Sequence, residues 1–243
     1  MSILRAADAG PRRPRIRVWL APAFLILLGV AALGIGLNNL LVPTAVQHDS
    51  VAALAGQSYA DIQLPSFDRN PLLIRSHVMI GIVFTLLAAF QFWPGFRRRH
   101  RQIHRVMGYC ALTCLVLLPT TGVACTFVYP FSGMAGVWPN LVWMVVILFC
   151  VGAAWRAIRR RDVISHEAWV LRATAMTVGI TLSRVYEPVL VNFFHMDPRP
   201  ATALVFWLGQ GEGLVVAELW LRRVGGPLAR RAAARRAAAG ARP

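Results

Sequence analysis

Gly95-Phe96-Arg97-Arg98-Arg99-His100-Arg101-Gln102-Ile103-His104-Arg105 decides the fold of this chain. It sets five arginines between one apolar run over 72–93 and another over 106–128. Each run reaches the roughly 20 residues that a helix needs to cross the hydrocarbon core of a bilayer. An arginine cluster between two such runs marks a cytoplasmic turn, because basic loops stay on the cytoplasmic side of a membrane.

Outward from that turn the pattern repeats. Further apolar stretches lie over 18–41, 137–157, 168–194 and 201–221. All 26 basic residues are arginine. Five precede the first stretch, five fill the turn above, and four (Arg156, Arg159, Arg160, Arg161) separate the fourth stretch from the fifth. Seven follow the sixth, and only Arg69, Arg75 and Arg199 fall in the alternate loops. The expectation is an all-α, polytopic bundle of six transmembrane helices, with spans two to five as its core and both termini cytoplasmic. It divides into a basic cytoplasmic N-terminus over 1–17, a six-span domain over 18–221 and an Arg/Ala-rich cytoplasmic tail over 222–243. The bacterial cytoplasmic (inner) membrane is the location this implies.

Composition agrees. A chain that is 57% hydrophobic is not a soluble domain. Its net charge of +16 is accounted for by topology and by anionic lipid head groups, so the expected partner is the bilayer and not nucleic acid. The four cysteines (Cys110, Cys114, Cys125, Cys150) all fall within spans, where they read as small packing residues and not as disulfides. The longest outer segment, 42–71, is polar and acidic and reads as a short cap over the outer face.

The chemistry-bearing residues group by depth. His104 opens span three and His166 opens span five, both at the inner interface. Two histidines from different helices at one height can ligate one haem iron axially, which makes them the candidate metal and cofactor residues for haem b. Gly108 lies one turn beyond His104 on the same face, where a missing side chain clears room for something flat or for another helix. His77 and Gly81 repeat this spacing on span two. At the outer end, His77, Arg184, Tyr186 and Glu187 share a depth and form a candidate ligand-binding cluster, with His195 beyond them. Arg184 and Arg172 lie inside span five, where charge is expensive and usually functional. Glu212, near the middle of span six within Gly209-Gln210-Gly211-Glu212-Gly213, reads as a protonatable proton or ion site, and the flanking glycines weaken that helix. An Arg172–Glu218 bridge is the structural expectation deeper in.

This set of residues resembles a family of bacterial predicted membrane proteins of the domain-of-unknown-function kind. The pattern is His77 opening a span, Gln91 at its far end, an arginine-rich turn, Ile103-His104-Arg105-x-x-Gly108, His166-x-x-Trp169-x-x-Arg172 and then Arg184, over roughly 72–190. The resemblance implies a multi-pass integral membrane protein and assigns it no reaction. More distantly, histidines at span starts are similar to those of cytochrome b561, whose four-helix core holds two haems and moves electrons across a membrane. The chain departs from that pattern because span four offers Asn140 where a ligand histidine would stand, which leaves one inner haem. The functional expectation is haem- or quinone-linked electron transfer. The rivals are a transporter or ligand-binding protein that uses the outer cluster, and a structural membrane subunit.

Overall fold

The computed structural model describes residues 30–31 and 33–222. The basic N-terminus, most of the first expected span and the arginine-rich tail lie outside the described residues. Those residues form helices joined by tight turns, with no strand among them. The described part of α1 covers 33–41. It is followed by α2 (Thr44–Ala55), α3 (Gln57–Arg69), α4 (Pro71–Gln91), α5 (Pro94–Arg99) and α6 (Arg101–Val128). After them come α7 (Gly133–Arg159), α8 (Val163–Pro188) with a π-helical extension Val189–Phe193, and α9 (Pro198–Trp220).

Local chemistry sets these boundaries. Proline begins α4, α5 and α9, where a missing N–H costs nothing. Asp162 and Asp197 cap α8 and α9 by accepting from Ser165 N (3.1 Å) and Arg199 N (2.9 Å). Gly133 turns into α7 at φ 56°.

Three helices, α4, α6 and α7, are long and apolar enough to cross a membrane. α8 and α9 have similar length but carry Arg172, Arg184 and Glu187, and Gln210, Glu212 and Glu218. Those polar residues lower the mean hydropathy of both helices, so the six-span reading rests on arginine placement as well as on apolar length. The outward surface is apolar, with Val145, Phe149, Val215 and Val216 each more than half exposed. So many exposed large apolar side chains suit lipid and not water.

The core draws on α4, α6, α7 and α8, centred on Phe84, Leu115, Ile147, Ala173 and Met176. Cys114 and Cys150 are part of that core, as packing residues, whereas Cys110 is exposed. α9 packs on α8 by a different route. A Cβ on Gly179 would stand 2.0 Å from the Gly209 carbonyl oxygen, and one on Gly213 would stand 2.1 Å from that of Ala175. The two backbones touch, small residue against small residue, along Ala175/Gly179 and Gly209/Gly213. The glycines of α9 are therefore contact residues and not merely weak points in a helix.

Segment 42–71 folds as the α2–α3 helical hairpin. Gly56, at φ 92°, makes its corner against Pro198 and Val191. Tyr59 packs edge-on against Phe131 at 4.9 Å, and Phe67 does the same against Tyr129 at 5.1 Å. His48 joins the two hairpin helices through Asp61 (2.8 Å) and also faces Asp49 (3.4 Å). The Asp61 hydrogen bond, then that of Asp49, raises the His48 pKa above its ordinary 6.5. A raised folded-state pKa adds stability that is complete below the unfolded value and is lost as pH rises through the folded value. Hydrogen exchange of hairpin amides should therefore speed up as pH rises above about 6.5, after correction for intrinsic rates. His48→Ala should remove that dependence.

Candidate functional site

Among the described residues the helices form a cavity at each end of the bundle, and Phe84 lines both. The end that carries the arginine-rich turns holds the larger cavity, about 790 Å³. His104 near the start of α6 and His166 near the start of α8 both line it, together with Gly108. Antiparallel α6, α7 and α8 bring these two starts to one end of the bundle. His166 donates from Nδ1 to the Ala154 carbonyl (2.9 Å), which fixes its ring and leaves Nε2 with a lone pair. This is the arrangement in which a histidine ligates a metal through Nε2. His104 Nδ1 is buried and has no hydrogen-bond partner among the described residues. Such an atom costs about 1–3 kcal/mol.

Gly108 serves a more specific purpose than the sequence indicates. A Cβ there would meet Gln91 Oε1 at 3.4 Å, and Gln91 Nε2 donates to the His104 carbonyl (3.2 Å). Thus the space beside Gly108 admits the Gln91 amide, which ties α4 to the turn of helix bearing His104. Arg97 on α5 pairs with Glu167, the residue after His166, and so holds the arginine turn across the mouth of the cavity. Arg98, Arg101 and Arg105 also line it, which makes this end strongly cationic.

The His166-x-x-Trp169-x-x-Arg172 spacing resolves into a relay of contacts. Trp169 packs edge-on against Phe149 at 5.7 Å and lies under the Arg172 guanidinium at 4.6 Å. Arg172 Nε donates to Glu218 Oε1 (2.5 Å), the expected bridge to α9. His166 is thereby set on a helix anchored to both α7 and α9.

The opposite end holds a cavity of about 310 Å³ beneath the α2–α3 hairpin. His77 and Arg184 line it. Glu187 is 2% exposed, accepts from Thr202 Oγ1 (2.5 Å) and faces Arg184 Nη1 at 3.5 Å. His77, Arg184 and Glu187 thus form one connected region. Tyr186 does not join it. Its hydroxyl donates to Glu212 Oε2, and Glu212 is exposed away from the cavity. The reason is helical geometry: Glu187 at i+3 shares a face with Arg184, whereas Tyr186 at i+2 does not. His195 is exposed beyond the π-helical turn at φ 53°. Asn140, which stands where span four lacks a histidine, lines the cavity as well, and so do Tyr59, Gln63 and Gln210, which the sequence reading did not place at a site. Tyr59 and Gln63 come from the hairpin, and no local spacing links them to α8. Burial pushes the Tyr59 phenol above its ordinary pKa, so it remains a neutral hydroxyl beside Arg184.

Glu187→Gln should weaken this end by about 1–3 kcal/mol, since it removes the charge of a buried carboxylate that pairs with Arg184 and accepts from Thr202. Asp197→Asn should change little, because asparagine caps helices as well as aspartate does. Thermal unfolding of the two variants in detergent compares them directly. Equal stability would show that Arg184 does not depend on Glu187.

A family model described as predicted membrane protein (DUF2306) matches residues 74–221. That segment contains every residue lining the larger cavity, whereas the hairpin lies outside it. No curated protein matches the chain, and no solved structure does.

Proposed function

The chain belongs to the predicted membrane protein family DUF2306, and from that premise we propose that it is an integral membrane protein that binds one haem b between His104 and His166 and passes electrons through it. The single observation that carries this reading is the pairing of those two histidines in one cavity of about 790 Å³. His166 is already held through Nδ1 with Nε2 available. Among the described residues no group of three or more His, Cys, Asp or Glu gathers as a site for a bare metal ion. Two imidazoles lining one cavity suit a haem iron, whose other four ligands belong to the porphyrin. The remaining lining fits the same group: Leu112, Leu115 and Trp155 offer apolar contact, and Arg98, Arg101 and Arg105 offer partners for carboxylates. When bound, haem would supply one-electron chemistry, while the protein tunes it through ligand orientation and burial.

In this reading all six apolar stretches cross the inner membrane and both termini are cytoplasmic. The arginine turns then lie against anionic head groups, and the haem sits at the cytoplasmic end. The experiment is an absorption spectrum of the full chain purified in mild detergent from cells supplied with haem precursor. A Soret band with a sharp α-band on reduction is expected. A colourless preparation that takes up no added haemin overturns the reading.

A further inference from the structure

The hairpin-end cavity has its own chemistry, which does not rest on haem at the other end. Its charge is already balanced, since Glu187 faces Arg184 at 3.5 Å. The Thr121 hydroxyl has one proton, and the Leu117 carbonyl lies 2.7 Å away to receive it. With that proton on the carbonyl, Thr121 Oγ1 accepts from His77 Nδ1–H (2.8 Å), and the tautomer assigned from this network is the neutral one with a lone pair on Nε2. Nε2 has no hydrogen-bond partner among the described residues. An accessible acceptor on His77 thus shares a small cavity with the donor-only guanidinium of Arg184. Around them stand aromatic and aliphatic side chains, among them Phe67, Phe84, Phe131 and Phe206. The volume of about 310 Å³ is at the lower end of ligand pockets, which run from roughly 300 to 1,000 Å³.

We propose that this cavity is a binding site for a small neutral ring bearing a hydroxyl, a phenol- or hydroquinone-class molecule whose O–H donates to His77 Nε2 while its oxygen accepts from Arg184. An anion is disfavoured because Glu187 already neutralises Arg184, and a second negative charge would be buried without a partner. A ring without a hydroxyl leaves the acceptor on His77 unpaired. Glycine at 81 and 122 keeps the ring's place open: a Cβ on Gly81 meets only Leu118, at 3.8 Å, and one on Gly122 meets His77 Cε1 at 3.5 Å.

The test uses three probes of similar shape on the full chain in one detergent, read by calorimetry. They are 2-naphthol, its methyl ether 2-methoxynaphthalene, and 2-naphthoate. The naphthol should bind at least about tenfold tighter than the ether, and tighter than the carboxylate. His77→Leu should bring the naphthol-to-ether ratio to about one, and His77→Gln, which retains an acceptor, should restore part of it. Gly81→Val places methyl groups in the cavity and should weaken naphthol binding at least about tenfold, which keeps the test decisive if the leucine variant fails to fold. No saturable naphthol binding, a wild-type ratio near one, tightest binding of the naphthoate, or full affinity in Gly81→Val would each overturn the assignment.

Discussion

Gly213→Ala is expected to destabilise the bundle by about 3 kcal/mol, although alanine is the better helix former. The added methyl would stand 2.1 Å from the Ala175 carbonyl oxygen and 3.0 Å from the Met176 Cα, both backbone atoms that no side-chain rotation can move. α8 and α9 must separate, and the Arg172–Glu218 bridge between them must stretch with them. For a chain of this size the melting temperature should fall by roughly 6–12 °C. Gly152→Ala is the matched control. It makes the same chemical change on α7, where nothing lies within 4 Å of the new methyl, and should leave the melting temperature unchanged or higher. Equal melting temperatures for the two variants would mean that the α8–α9 contact does not hold the bundle.

His166→Ala and His104→Ala should each abolish the haem absorption band, whereas His77→Ala should leave it intact. His166 offers its Nε2 lone pair only because Nδ1 is held by the Ala154 carbonyl, and alanine removes both ends of that arrangement. His104 lines the same cavity from α6, so in the proposed haem site either loss would leave the iron with one protein ligand. His77 lines only the cavity at the other end of the bundle. The expected change is loss of most of the Soret intensity per protein in each inner variant, with the folded fraction by size exclusion preserved. Retention of a normal band in either variant would exclude that histidine as a ligand.

Some of this was legible in the sequence for simple reasons. Apolar length and arginine clusters mark α4, α6 and α7, because lipid imposes both. The parity of span direction puts His104 and His166 at one end, and i, i+3 spacing puts Glu187 beside Arg184. What stayed hidden depends on contacts between distant segments. Tyr59 reaches Arg184 only because the α2–α3 hairpin folds over α8, and nothing near either residue encodes that meeting. Tyr186 shares its depth with Arg184 but not its face, and depth alone could not separate the two. The glycines of α9 looked like weakness in one helix; their role appears only against Ala175 and Gly179 of its neighbour. Gly108 was legible as a gap, but not as the seat of the Gln91 amide.

The most direct test of the central claim is low-temperature electron paramagnetic resonance of the oxidised, detergent-purified full chain. Two imidazole ligands predict a low-spin ferric haem signal at close to one haem per protein, lost or converted to high spin in both His104→Ala and His166→Ala. A sample with no ferric haem signal, or a low-spin signal that survives both substitutions, would contradict it.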